Sequence, residues 1–82
     1  MSVEYYRKQI IDLRARLTKE KESKKKDNAY YAALIKGTSS ASSKTAYRKS
    51  KTDKAASHDR AIDNLKKQIE NAKANLAKAR KK

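Results

Sequence analysis

The chain has 82 residues, of which 37% are hydrophobic and 39% are charged, and its formal net charge at pH 7 is +14. This length allows one small domain at most, and the absence of cysteine excludes a disulfide framework and thiolate metal sites. No run of 18 apolar residues is present to span a membrane, and the N-terminus lacks the apolar core of a secretory signal.

The N-terminal stretch predicts a first helix over about residues 3–36. Its apolar residues recur at spacings of three and four, which is the pattern of a helix that packs along one stripe. The stripe consists of Val3, Tyr6, Ile10, Leu13 and Leu17. It continues through the polar positions Glu20, Lys24 and Asp27, and it becomes apolar again at Tyr31 and Leu34.

The segment KGTSSASSKT, residues 36–45, interrupts this periodicity. Gly37 is the only glycine in the chain and is a typical helix stop, while the serines and threonines that follow are good N-caps. We therefore expect a solvated loop over about residues 37–45, where the chain folds back on itself.

A second stripe predicts a second helix over about residues 46–80. Its apolar members are Ile62, Leu65, Ile69, Ala72, Leu76 and Ala79. Towards the loop, the same spacing passes through His58, Ala55, Lys51 and Arg48.

The two stripes match when the chain is folded at Ala41, because facing positions then have numbers that sum to 82. Leu13 faces Ile69, for example, and Lys24 faces His58. The sequence therefore predicts an all-α fold, a two-helix antiparallel coiled-coil hairpin about 50 Å long. The predicted hairpin core is Val3, Tyr6, Ile10, Leu13, Leu17, Ile62, Leu65, Ile69, Ala72, Leu76 and Ala79.

One edge of the predicted hairpin is strongly basic. Arg7, Arg14 and Lys21 on the first helix face a second basic flank, in which Asp59 is the one acid and is expected to pair with Lys21. Tyr5 and Ile11 lie outside the stripe and are expected to be exposed. We interpret these features as a docking surface for a partner, formed by Tyr5, Ile11, Arg7, Arg14, Lys66 and Lys73.

A second group of cations surrounds the predicted loop. Its members are Lys24, Lys25, Lys26, Lys44, Arg48, Lys49, Lys51 and Lys54. Such a cluster, with tyrosines interleaved, is typical of surfaces that bind anions or nucleic-acid phosphates without reading sequence.

Catalytic chemistry is not indicated by the sequence. His58 is the only histidine and is expected to be a partly buried spacer in the stripe, with no second histidine or cysteine to hold a metal. A two-helix hairpin encloses no pocket for convergent catalytic groups. We therefore expect a non-enzyme with no cofactor, no metal site and no small-molecule substrate.

Three stretches of the chain resemble a known type of bacterial module. The opening SVEYYRKQIIDLRARLTKEKESKKK, the central TSSASSKTAYRKSK and the closing AIDNLKKQIENAKANLAKARK look like helical hairpins in the N-terminal segments of TIR-domain and other defence or signalling proteins. The resemblance implies an assembly or sensing element that acts with an effector. Small hairpin partners of type VII secretion substrates look similar, but their Trp-Xaa-Gly turn and tyrosine-based export signal are not present.

Two functions therefore remain open from the sequence. The first is an interaction module that self-associates or docks on a larger protein, possibilities that light scattering would separate. The second is a small basic protein that binds nucleic-acid phosphates. For either function we expect a cytoplasmic protein, with export by a non-classical route as the alternative.

Overall fold

The computed structural model describes residues 2–81, which form two long helices, α1 (Val3–Gly37) and α2 (Ala41–Arg80). The helices lie side by side in a rod of 64 × 14 × 12 Å, and the short connection between them makes them antiparallel. The predicted all-α helical hairpin is confirmed, and within residues 2–81 no strand is present. Neither helix contains a segment of the length and apolarity that crossing a bilayer requires.

The connection is shorter than the sequence predicts, since residues 38–40 alone separate the helices. The expectation of a loop over residues 37–45 was wrong because Ser40 already caps α2, and its Oγ accepts a hydrogen bond from the Ser43 N–H at 3.3 Å. Gly37 is the last residue of α1, and it does not adopt the left-handed backbone of a glycine cap. The extended backbone of Thr38 ends the helix instead. The longer α2 makes the rod longer than the predicted 50 Å.

The core lies in the half of the hairpin that contains the chain termini, here called the stem. Ile10 and Leu13 of α1 pack with Ile69 and Ala72 of α2, and all four are buried. Leu17, Leu65 and Leu76 pack against this cluster and are partly buried. Each large apolar side chain buried in this way contributes about 1.5–3 kcal/mol to folding. Elsewhere along the stripe Ile62 is buried, while Val3, Tyr6 and Ala79 are half-buried.

The stripe of α2 drifts away from the strict heptad near the loop. The heptad places Arg48 opposite Leu34, but Arg48 is exposed, and the half-buried residues of α2 between 41 and 52 are Ser43, Lys44, Tyr47, Ser50 and Lys51. A straight α-helix repeats every 3.6 residues, so a 3.5-residue pattern loses register after several turns.

Candidate interaction surfaces

A shallow groove runs along one side of the stem. The exposed Ile11, of which 65% is accessible, lines the groove beside core residues of both helices. Cations from α1 and α2 form its rim. The residues that line this stem groove are Arg7, Ile10, Ile11, Arg14, Lys73 and Leu76.

The rim cations of the stem groove are held only loosely. Arg7 pairs with Glu4 at 2.9 Å and Lys73 pairs with Glu70 at 3.6 Å, in both cases within one helix. Both acids are largely exposed, with 79% and 74% of their side chains accessible. Exposed pairs of this kind contribute little free energy, so a partner carboxylate can replace either acid at small cost.

Tyr5 does not belong to the stem groove, although the sequence suggested that Tyr5 and Ile11 share one surface. The two residues are six positions apart, which separates them by about 120° around the helix. Tyr5 lines a different groove with Lys8, Gln9 and Asp12, and its ring packs edge-on against Tyr6 with a centroid separation of 5.3 Å. Lys66 is exposed one heptad beyond Lys73, outside the residues that line the stem groove.

The polar part of the inter-helix stripe is organised around His58, which is partly buried as predicted but also forms hydrogen bonds that the sequence analysis did not anticipate. Its Nδ1 lies 2.5 Å from Oε1 of Glu20, and its Nε2 lies 2.6 Å from Oδ2 of Asp27. Because a carboxylate can only accept, both ring nitrogens donate when the ring is protonated. Hydrogen bonds to Asp27 and Glu20 accordingly raise the pKa of His58 above the usual 6.5, although partial burial opposes the rise.

Beside this cluster, Lys24 forms an inter-helix salt bridge with Asp59 at 2.6 Å. The sequence paired Asp59 with Lys21 and placed Lys24 opposite His58. The Lys21–Asp59 pairing was wrong, because the long side chain of Lys24 reaches Asp59 instead. Lys24 does face His58 along the stripe, but the two side chains do not pair, since the imidazole bonds the carboxylates of Glu20 and Asp27 one turn to either side of Lys24. The spacing of Glu20 and Asp27, one heptad apart and centred near the position facing His58, is the signal that could have identified the cluster.

The side chains of the cluster around His58 do not converge on one point. Among residues 2–81, no three histidine, cysteine or carboxylate side chains are placed to hold one ion. The two carboxylates bind different nitrogens of the ring, so they lie on opposite sides of it. The arrangement is suited to joining the two helices through charge-assisted hydrogen bonds.

The loop half of the hairpin carries a second groove, here called the loop-end groove. It is lined by Ala32, Ile35, Lys36, Arg48, Lys51 and Thr52. Two of these cations, Arg48 and Lys51, belong to the anion-binding set predicted from the sequence, whereas Lys36 was missed. Lys36 stands apart from the other cations in the sequence, and only the approach of α2 places it in a groove with Arg48 and Lys51.

The other predicted anion-binding residues are distributed around this half of the hairpin. Lys25, Lys26, Lys49 and Lys54 are exposed, and Lys44 is half-buried at the start of α2. Lys24 is occupied by its salt bridge with Asp59. The structure therefore brings two of the eight predicted residues into one groove and leaves most of the others as separate surface charges.

Comparison with known proteins identifies no relative from which a function could be transferred: no family model, no curated protein and no solved structure matches this chain.

Proposed function

We propose that this chain is a non-enzymatic interaction module that docks on an acidic, partly apolar segment of a larger protein through its stem groove. The observation that carries the proposal is that the exposed Ile11 lines one groove together with the cations Arg7, Arg14 and Lys73. A partner that placed an apolar side chain over Ile11 would bring its own acids within reach of Arg7, Arg14 and Lys73.

Charge complementarity favours such a partner over a second copy of the chain. A symmetric dimer formed through the stem groove would bring each copy's rim cations close to those of the other. Each copy also carries a net charge of +14, which adds long-range repulsion. An acidic segment avoids both the local repulsion between cations and the long-range repulsion between net charges, and it is attracted to the groove. Binding of another protein is therefore favoured over self-association at this groove.

The resemblance to N-terminal segments of bacterial TIR-domain proteins is consistent with this proposal. In that setting the hairpin would serve as the assembly element, and the partner would be the effector or a protein that recruits it.

The strength of the apolar contact can be derived from the exposure of Ile11. Full burial of an isoleucine side chain is worth about 1.5–3 kcal/mol. Since 65% of Ile11 is accessible, covering it contributes about 1–2 kcal/mol, which corresponds to roughly a 5- to 30-fold change in Kd.

Fluorescence anisotropy with a labelled acidic amphipathic peptide tests the proposal. The peptide is helical, with leucines on one face and glutamates beside them, and a lysine-for-glutamate version serves as the charge control. We expect the acidic peptide alone to bind, and we expect Ile11→Ala to weaken binding about 5- to 30-fold. Tyr30→Ala is the matched control, because Tyr30 is 60% exposed but lies in the loop half.

Two outcomes would contradict the proposal. The first is equal loss of binding in the Ile11 and Tyr30 variants, which would mean that the peptide binds wherever an apolar side chain is exposed. The second is a dimer of the chain alone, seen by light scattering and dissociated by Ile11→Ala, which would assign the stem groove to self-association.

A further inference from the structure

The loop half of the hairpin has a large excess of positive charge that the stem groove does not use. Residues 24–54 contain nine lysines and arginines but two acids, Asp27 and Asp53. Asp27 is bonded to His58, and within residues 2–81 the salt bridge of Lys24 is the one that involves any of these nine cations. The remaining cations therefore lack intramolecular counter-charges in direct contact.

The loop-end groove concentrates part of this charge at one place. Ala32, Ile35 and Lys36 have the i, i+3, i+4 spacing of one face of α1, and Arg48, Lys51 and Thr52 repeat that spacing on α2. The two faces meet at the groove. As a result three cations, one hydroxyl group and two apolar side chains line one groove, and no acid is among the lining residues.

These groups have the chemistry of a phosphate site. A guanidinium can donate two parallel hydrogen bonds to a phosphate, lysines bind it as point charges, and a threonine hydroxyl can donate a further hydrogen bond. We infer that the loop-end groove, through Lys36, Arg48, Lys51 and Thr52, binds backbone phosphates of a nucleic acid.

A polymeric ligand fits this half of the hairpin better than a single phosphate group. Exposed Lys49 lies within the segment of α2 that lines the groove, and exposed Lys25, Lys26 and Lys54 lie on its stem side, so positive charge continues along this half of the hairpin beyond the groove. Successive phosphates of a nucleic-acid strand would occupy such an extended surface. The exposed ring of Tyr30 adds a face on which an unpaired base can stack.

An anionic membrane is the less suitable partner. Helices that bind in the membrane interface insert large apolar side chains beside their cations. The tip of this hairpin is formed by Thr38, Ser39 and Ser40, which have none to insert. Vesicle binding is therefore an outcome to be tested against nucleic acid.

The experiment measures anisotropy of a labelled 20-nucleotide random-sequence DNA, as a duplex and as a single strand, between 50 and 200 mM KCl. The test variant is Lys36→Gln/Arg48→Gln/Lys51→Gln. The matched control is Arg7→Gln/Arg14→Gln/Lys73→Gln, which removes the same charge from the stem groove. Circular dichroism of both variants verifies that the hairpin is folded.

We expect the loop-end variant to lower the slope of log K against log salt for the duplex by about 2.7, which is about 0.9 for each lost phosphate contact. Three such contacts alone correspond to about a 40-fold loss of affinity between the two salt concentrations. The stem variant should bind within about threefold of the unmodified chain, since it retains the groove. Tighter binding to the single strand than to the duplex would assign stacking to Tyr30, and the groove would keep its role for either form.

Equal losses in the two triple variants would overturn the inference, because net charge and not the groove would then determine binding. Tighter binding to vesicles of 30% phosphatidylserine in phosphatidylcholine, weakened by the loop-end variant, would reassign the groove to membranes. Neither result affects docking at the stem groove, which depends on Ile11 and is measured with a different ligand.

Discussion

Replacing Leu13 by alanine tests the packing on which the whole hairpin depends. Leu13 is 5% exposed and belongs to the buried cluster with Ile10, Ile69 and Ala72. Leucine-to-alanine changes in protein cores cost about 2–5 kcal/mol, depending on how far the surroundings collapse into the cavity. Two helices with no third layer can approach each other readily, so we expect the lower part of that range, about 2–3 kcal/mol.

Thermal unfolding followed by circular dichroism at 222 nm measures this cost. For a domain of this size, 1 kcal/mol shifts the midpoint by about 4–8 °C, so Leu13→Ala should lower it by about 10–20 °C. Ile11→Ala is the matched control two positions away. Since Ile11 is 65% exposed, its truncation should change stability by less than about 0.5 kcal/mol.

A milder variant keeps the test informative if Leu13→Ala does not fold. Ile69→Val removes one methylene from the facing helix and should cost about 0.5–1.5 kcal/mol. Equal destabilisation by the Leu13 and Ile11 changes, or no effect of either core change, would refute the packing of the two stripes against each other. Either result is expected if the two helices do not pack against each other.

Two further predictions concern the polar seam and the end of α1. Because the pKa of His58 is raised in the folded state, its stabilising contribution is complete below about pH 6.5 and is lost as the pH rises through the raised pKa. The midpoint of the unmodified chain should therefore fall more between pH 6 and pH 9 than that of His58→Gln, and parallel curves would contradict the cluster. Gly37 has a helical backbone and no atom within 4 Å of an added Cβ, so Gly37→Ala should stabilise the hairpin by up to about 1 kcal/mol. A lower thermal midpoint for Gly37→Ala would mean that the backbone there needs glycine.

The sequence was sufficient to predict the all-α hairpin and the approximate position of its fold-back, although not the bounds of the connection. The alternation of three and four residues from Val3 to Leu17, and again from Ile62 to Ala79, depends only on the helical period. The excess positive charge at the stem and at the loop end could also be predicted from the sequence, because it depends only on composition and position along the chain. These are local features that do not depend on how the two helices are rotated relative to each other.

The tertiary structure decided which side chains meet across the seam. His58 faces Lys24 as the mirror relation predicts, but its ring forms hydrogen bonds with Glu20 and Asp27, and Lys24 pairs with Asp59. A shift of a few residues in register, or a modest rotation of one helix, exchanges such partners without changing either stripe. The helical period does not specify which side chains pair across the two helices. Side-chain length and rotamer determine which of the neighbouring partners is reached.

The same reason explains why the residues that line the two grooves differ from the docking and anion-binding residues predicted from the sequence. Rotation around α1 places Ile11 with Arg14 and leaves Tyr5 on another side, and it brings Lys36 beside Arg48 and Lys51 of α2. The sequence by itself determined that this chain forms a basic helical hairpin, because the spacing of apolar residues and the positions of charges follow directly from the order of residues in the chain. Only the tertiary structure decided which cations share a groove, because that depends on the relative rotation and register of two helices in space.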